Sequence, residues 1–180
     1  DSGGNRTYEP ELNLANAKAA KSALEAMGYT VRLTREDNNT HPSFSKRASY
    51  CFPGNDTSKS PDAELYVCIH SNASNGTLAS NGNITKEGTA RGTAYMHAGG
   101  SYKQVSDEND YAERSNKAGE IINNKVAEAT GLENDGAING QEWLIAFNKN
   151  PVPTAYLEIG YFDNSADRAL LDSNKIGQAI

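Results

Sequence analysis

The run Leu65-Tyr66-Val67-Cys68-Ile69-His70 is short, apolar and β-branched, and it stops on a histidine where a turn-rich segment, Ser71-Asn72-Ala73-Ser74-Asn75-Gly76, begins. A run of this length between turn signals reads as a buried strand. His70 then stands at the strand's carboxyl end, where open α/β sheets gather their ligand sites. An imidazole there is either a metal ligand or a hydrogen-bonded structural residue, and partners from elsewhere in the chain decide between the two.

The surrounding pattern supports a strand within an α/β fold. From residues 9 to 27, Leu12, Ala15, Ala19, Ala23 and Met27 recur at three- and four-residue intervals, which is an amphipathic helix stopped by Gly28, with Glu9 in its first turn and Pro10 beside it. Residues 29–34 read as a strand, 44–51 as a helix, and 53–61 as a polar loop before the run that ends on His70. Residues 92–97 read as a third strand, 110–130 as a helix stopped by Gly131, 143–147 as a short strand, 153–161 as a buried strand and 165–171 as an acidic-capped helix. Helices alternating with strands predict a single α/β domain, with a mostly parallel central sheet flanked by helices. At 180 residues the chain fits one domain that needs no staple or metal to fold. Two long polar excursions, 71–91 and 98–109, are expected on the surface, as walls of a groove, as a cover over it, or as idle solvated loops.

Charge and composition exclude several functions. A net charge of −6 and a pI near 5.1, with the basic residues scattered, argue against a nucleic-acid partner, whose phosphates require a positive footprint. No apolar run is long enough to span a membrane, and no leader-like basic and apolar start precedes the first helix. The mean hydropathy of −0.69 comes from Asn, Ser, Thr and Gly more than from charge, a composition that favours an extracellular setting. Cys51 and Cys68 form no Cys-x-x-Cys pair, so they are either buried thiols or one disulfide closing a short loop.

One residue breaks the last buried strand. In Thr154-Ala155-Tyr156-Leu157-Glu158-Ile159-Gly160-Tyr161 a glutamate interrupts an apolar run, and burying an ionised carboxylate without a partner is costly. Period-two alternation places Glu158 on the face of Tyr156, opposite Leu157 and Ile159. A parallel sheet brings His70 and Glu158 to one rim. With Glu9, this makes the mixed nitrogen and oxygen donor set, plus general base, of a hydrolytic zinc site.

Four blocks in order then resemble one family: Glu9-Pro10-Glu11-Leu12-Asn13-Leu14; Val31-Arg32-Leu33-Thr34-Arg35 with Asp37; Ile69-His70-Ser71-Asn72-Ala73; and Pro153 to Asn164 around Glu158. The chain resembles the zinc-dependent N-acetylmuramoyl-L-alanine amidases of the amidase-3 type, which act on bacterial peptidoglycan. The resemblance implies Zn2+ as cofactor, with Glu9 (rather than Glu11, because Glu9 stands four residues before Asn13) and His70 as ligands and Glu158 as the catalytic glutamate. It also implies a further ligand, a histidine in a Gly-His-Gly-Gly turn after the first strand.

That turn and its strand are absent, and Asp1-Ser2-Gly3-Gly4 resembles the residues that come directly after the turn in the family. The third ligand is therefore expected upstream of Asp1, in a chain trimmed at both ends. His41 and His97 fall in the wrong blocks and are expected to be structural or surface residues. The implied substrate is peptidoglycan, glycan with its stem peptide, cleaved outside the cytoplasm or in the cell wall or periplasm, with possible flanking cell-wall-binding modules. The alternatives are an inactive peptidoglycan-binding module of the same fold and a metal-dependent deacetylase or peptidase on the same ligands.

Overall fold

Leu14 and Ala20 are buried on helix α1 (Asn5–Ala26), which ends where Gly28 takes a φ of 93°. The amides of Met27, Gly28 and Tyr29 bond back to the carbonyls of Leu24, Glu25 and Leu24, a closure that the left-handed glycine permits. In the computed structural model, which describes residues 5–98, 111–139 and 150–180, α1 begins before the expected start. Glu9 therefore lies past the first turn, and Pro10 sits inside the helix. Near a helix start the missing proline N–H forfeits a single bond, so the helix runs through it.

Helix α2 (Phe44–Ser49) follows, capped by Ser43, whose hydroxyl accepts from the Lys46 amide at 3.2 Å. A 3-10 turn at Pro53–Asn55 leads to strand β1 (Tyr66–Asn72). Then come the small hairpin β2 (Thr77–Leu78) and β3 (Ile84–Lys86), strand β4 (Thr93–His97), helix α3 (Tyr111–Thr130), strands β5 (Asn134–Asn139) and β6 (Thr154–Tyr161), and helices α4 (Ser165–Arg168) and α5 (Ser173–Ala179).

The main sheet runs β1-β6-β4-β5. β1 pairs parallel with β6, β4 pairs parallel with β5, and one antiparallel joint links β4 to β6. The result is the expected single α/β domain with a mainly parallel sheet. Strand β6 is its spine: Ala155, Leu157 and Ile159 are fully buried and pack with Val126 of α3 and Ile176 of α5. Burying each large aliphatic side chain contributes about 1.5–3 kcal/mol, so Leu157, Ile159, Val126 and Ile176 make this face a stabilising centre of the domain. The opposite face of β6 carries Tyr156, packed with Cys68 and Ala98. Period-two alternation is thus observed as read.

Several expectations are corrected. Residues 29–34 are not a strand: the Val31 carbonyl accepts from Lys21 Nζ at 2.9 Å, and Arg32 is turned to Asp62 with two bonds of 2.6 Å. β-propensity is a preference for a pleated surface and creates no strand without a neighbour to pair with. Strand β5, rich in Asn, Asp and Gly, was not anticipated; it exists because the edge of β4 offers it a ladder. The helix expected at 165–171 is confined to Ser165–Arg168, and residues 173–179, where no element was expected, form α5, which Asp172 caps by accepting from the amides of Asn174 and Lys175. The excursion at 71–91 contains the β2–β3 hairpin. Both cysteines are free and buried, so the thiol alternative holds. The expected strand at 143–147 and nearly all of the excursion at 98–109 lie outside the described residues. Among the described residues, no helix is long and apolar enough to cross a membrane.

Candidate active site

The parallel register of β1 and β6 sets His70 directly beside Glu158. Both strands end at the same rim, so one imidazole and one carboxylate share a face without help from any loop. The ring of Tyr156 stacks under His70, with centroids 5.0 Å apart and planes 7° from parallel, which fixes the plane of the imidazole. The third group arrives from outside the sheet. α1 lies against β1, and Glu9 Oε1 comes within 3.1 Å of His70 Nδ1.

Glu9 is held from three sides. Its Oε1 accepts from Asn13 Nδ2 at 3.2 Å, one helical turn on, and from the Ser71 amide at 3.5 Å, while the Ser71 hydroxyl donates to Asn13 Oδ1 at 3.1 Å. Asn13 and Ser71 were not anticipated as site residues, nor was Tyr156 as the stacking partner. The i, i+4 spacing of Glu9 and Asn13 was the signal that could have found Asn13.

The electrostatics separate the two carboxylates. Burial raises the proton affinity of Glu9, but the hydrogen bond and charge of His70, with the bonds from Ser71 and Asn13, outweigh it and hold the carboxyl below its ordinary range. Glu158 is pushed the other way: burial raises its pKa to about 7, against a partial offset from His70 and with the help of the Glu9 charge. No hydrogen bond reaches the Glu158 carboxylate among the described residues. For His70, burial disfavours the charged ring, yet the neighbouring Cys68, the hydrogen bond to Glu9 and the nearby Glu158 carry it to about 10. The arrangement therefore offers one ionised carboxylate, one histidine ring that keeps its proton at neutral pH with Nδ1 facing that carboxylate, and one carboxyl that gains and loses a proton near neutral pH.

The structure thus brings together Glu9, His70 and Glu158, and leaves the other histidines apart. His41 is exposed, and His97 pairs with Asn116 at 3.1 Å. No group of three or more metal-capable side chains occurs among the described residues.

An imidazole and a carboxylate on adjacent parallel strands, met by a second carboxylate from helix α1, define an α/β domain with a polar, ionisable site on the rim of its sheet. The chain belongs to the amidase-3 family, N-acetylmuramoyl-L-alanine amidase, whose pattern matches residues 1–180. It is similar to N-acetylmuramoyl-L-alanine amidase LytC of Bacillus subtilis (strain 168), with 28% identity over all of this chain and 32% of that protein. It is also similar to N-acetylmuramoyl-L-alanine amidase CwlM of Mycobacterium tuberculosis, with 27% identity over 96% of this chain and 36% of that protein. The chain thus spans about a third of the length of these curated relatives. Among solved structures, the catalytic domain of CwlV, an N-acetylmuramoyl-L-alanine amidase from Bacillus (Paenibacillus) polymyxa var. colistinus, matches with a TM-score of 0.68 and 25% identity, covering 100% of this chain and 85% of that one.

Proposed function

We propose that the protein is a zinc-dependent N-acetylmuramoyl-L-alanine amidase that hydrolyses the amide between the lactyl group of N-acetylmuramic acid and the L-alanine of the stem peptide in peptidoglycan. The observation that carries this reading is the convergence of Glu9 and His70, at 3.1 Å, beside Glu158 on the neighbouring strand. Family membership supplies the substrate class.

A carboxylate oxygen and an imidazole nitrogen are donor types that bind zinc, and Glu9 Oε1 and His70 Nδ1, which lie 3.1 Å apart, would hold it. The histidine expected upstream of Asp1 completes the set in this reading. When bound there, zinc would supply Lewis acidity for the scissile carbonyl and lower the pKa of a water.

The remaining work falls to the chain's own groups. Glu158 accepts a proton from the attacking water at its carboxylate, then returns that proton to the departing nitrogen of L-alanine, so the carboxylate is regenerated each turnover. A carboxyl that titrates near neutral pH suits both halves of that cycle. Asn13 and Ser71 hold Glu9 in place, and Tyr156 holds the plane of His70. By this reading the protein works at the cell wall, outside the cytoplasm, and its partial coverage of its relatives supports the expectation of flanking cell-wall-binding modules.

The test is digestion of purified peptidoglycan followed by mass spectrometry. Free stem peptides beginning with L-alanine and an intact lactyl glycan are expected, with loss of activity on chelation. Release of acetate or cuts between amino acids would instead define a deacetylase or peptidase, and binding without any product would define a binding module.

A further inference from the structure

The excursion at 71–91 is tied down more heavily than a solvated loop requires. Within the hairpin, Thr77 Oγ1 and Thr85 Oγ1 are 2.8 Å apart, the Ala79 amide donates to the Asn83 carbonyl at 2.8 Å, and Asn81 Oδ1 accepts from the Asn83 amide at 3.0 Å. The segment just after β6 then clasps it. Asp163, 1% exposed, accepts from the amides of Ser74 and Gly76 at 2.8 Å each through Oδ2, and its own carbonyl accepts from the Gly88 amide at 2.8 Å. Asn164 donates to the Gly88 carbonyl, the Ser165 amide donates to Glu87, and Arg168, lying 3.9 Å over the ring of Tyr8, donates to the Gly82 carbonyl. Gly76 and Gly88 press so closely on Asp163 that an added Cβ would stand 2.7 and 2.6 Å from its carboxylate.

Position gives this clasp a purpose. The excursion continues directly from β1, which carries His70, and the clasping segment continues directly from β6, which carries Glu158. The held hairpin also lies against α1 beside Glu9: a Cβ at Gly82 would stand 3.8 Å from the ring of Tyr8, the residue before Glu9, and the Arg168 that covers this ring is the one bonded to the Gly82 carbonyl. The hairpin's exposed side chains, Thr77, Ser80, Asn81, Asn83 and Thr85, are neutral hydroxyls and amides, and Lys86 is its only charged residue. Such a surface suits a neutral, hydroxyl-rich polymer, whereas an anionic peptide would call for several cations.

We infer that the 71–91 excursion is a preformed wall that binds the glycan strand of the substrate, with Asp163 as its positioning residue. The inference rests on the amidase reading for the identity of the polymer. Because the wall is built in advance, the glycan does not have to order it on binding.

The experiment measures binding of the protein to glycan strands stripped of stem peptides, so it needs no turnover. Ser80 and Asn83 make no side-chain hydrogen bond among the described residues, and the double variant Ser80→Ala/Asn83→Ala should fold as the parent does, with an unchanged unfolding midpoint. It should weaken glycan binding at least tenfold and raise KM on intact peptidoglycan with kcat unchanged. Asp163→Ala should produce the same KM effect, and Asp163→Asn, which keeps an acceptor for both amides, should recover most of it. Parent protein that ignores the stripped glycan, or a double variant that binds it as the parent does, overturns the inference. A parent that binds the glycan but cleaves nothing supports the wall and sinks the amidase reading instead.

Discussion

Glu158 and Asp167 leave the same strand-to-helix segment, one half-buried and the other fully buried, and they are wired in opposite ways. Asp167 is fully buried and saturated: it accepts from the Gly92 amide at 2.7 Å, the Tyr161 amide at 3.0 Å and Arg91 Nε at 3.1 Å. Glu158 receives no such donors among the described residues and answers with a pKa pushed to about 7 by burial. A buried acid surrounded by donors fixes the backbone, whereas one left without them keeps an affinity for protons that chemistry can use.

The sharpest way to break this contrast is to make Glu158 unable to carry a proton. Glu158→Gln keeps the shape and should lower kcat by about 10²–10⁴-fold while zinc content stays at the parental level. His70→Ala should remove metal and activity together. Metal analysis beside initial rates separates the two, and equal loss of zinc in both variants would mean the roles are assigned wrongly.

Asp167 should fail differently. Asp167→Ala strands two backbone amides and leaves Arg91 without its partner, and each buried donor without an acceptor costs about 1–3 kcal/mol. A loss of roughly 3 kcal/mol is expected in urea unfolding, with kcat of the surviving folded protein nearly intact. If activity fell as far as in Glu158→Gln at equal folded fraction, the division between structural and reactive acids would be lost.

The same contrast explains what could be read in the sequence. The β6 strand was legible because apolar residues on a buried strand admit few substitutes, and Glu158 stood out against them. His70 was legible by its place at a strand end, and Glu9 by its block in the family pattern. Asn13, Ser71 and Tyr156 were not, since a polar residue on a helix or an aromatic one in a strand has many ordinary reasons to be there. The clasp by Asp163 and the anchoring of Asp167 were equally hidden: both depend on amides far away in sequence, those of Ser74 and Gly76 for one and of Gly92 for the other, and a short side chain after a strand does not announce them. Strand β5 and the irregular course of residues 29–34 escaped for a related reason, because an edge strand is decided by whether a neighbour is available and only weakly by its own residues.

Acidity offers a gentler probe. The ordinary pKa of a glutamate is 4.5, and folding raises that of Glu158 to about 7. Between those values the folded protein binds more protons than the unfolded chain, so burial of Glu158 costs nothing below pH 4.5 and stability is lost as pH rises through 7. In metal-free protein, Glu158→Gln should therefore be more stable than the parent at pH 8 by up to about 3 kcal/mol and no more stable at pH 4. Paired unfolding curves at the two values check this, and a pH-independent difference would show that desolvation of Glu158 is not the cause.

The smallest expected effect lies one contact away from the reactive groups. Asn13 makes no hydrogen bond to His70 or Glu158 among the described residues, but its amide donates to Glu9 Oε1 while its carbonyl oxygen accepts from Ser71, tying helix α1 to the end of β1 through the Glu9 carboxylate. Removing such an outer partner commonly costs about 10–100-fold in metal affinity, because the ligand must then be ordered on binding. Asn13→Ala should accordingly weaken zinc about 10–100-fold in a chelator competition, and activity should return to near the parental kcat when zinc is saturating. Asn13→Asp would leave a second carboxylate against Glu9 and, by repulsion, loosen the helix end, so it should recover little. A kcat that stays low at saturating zinc would place Asn13 in the chemistry itself, since a group that only orients Glu9 has nothing left to do once the metal is bound.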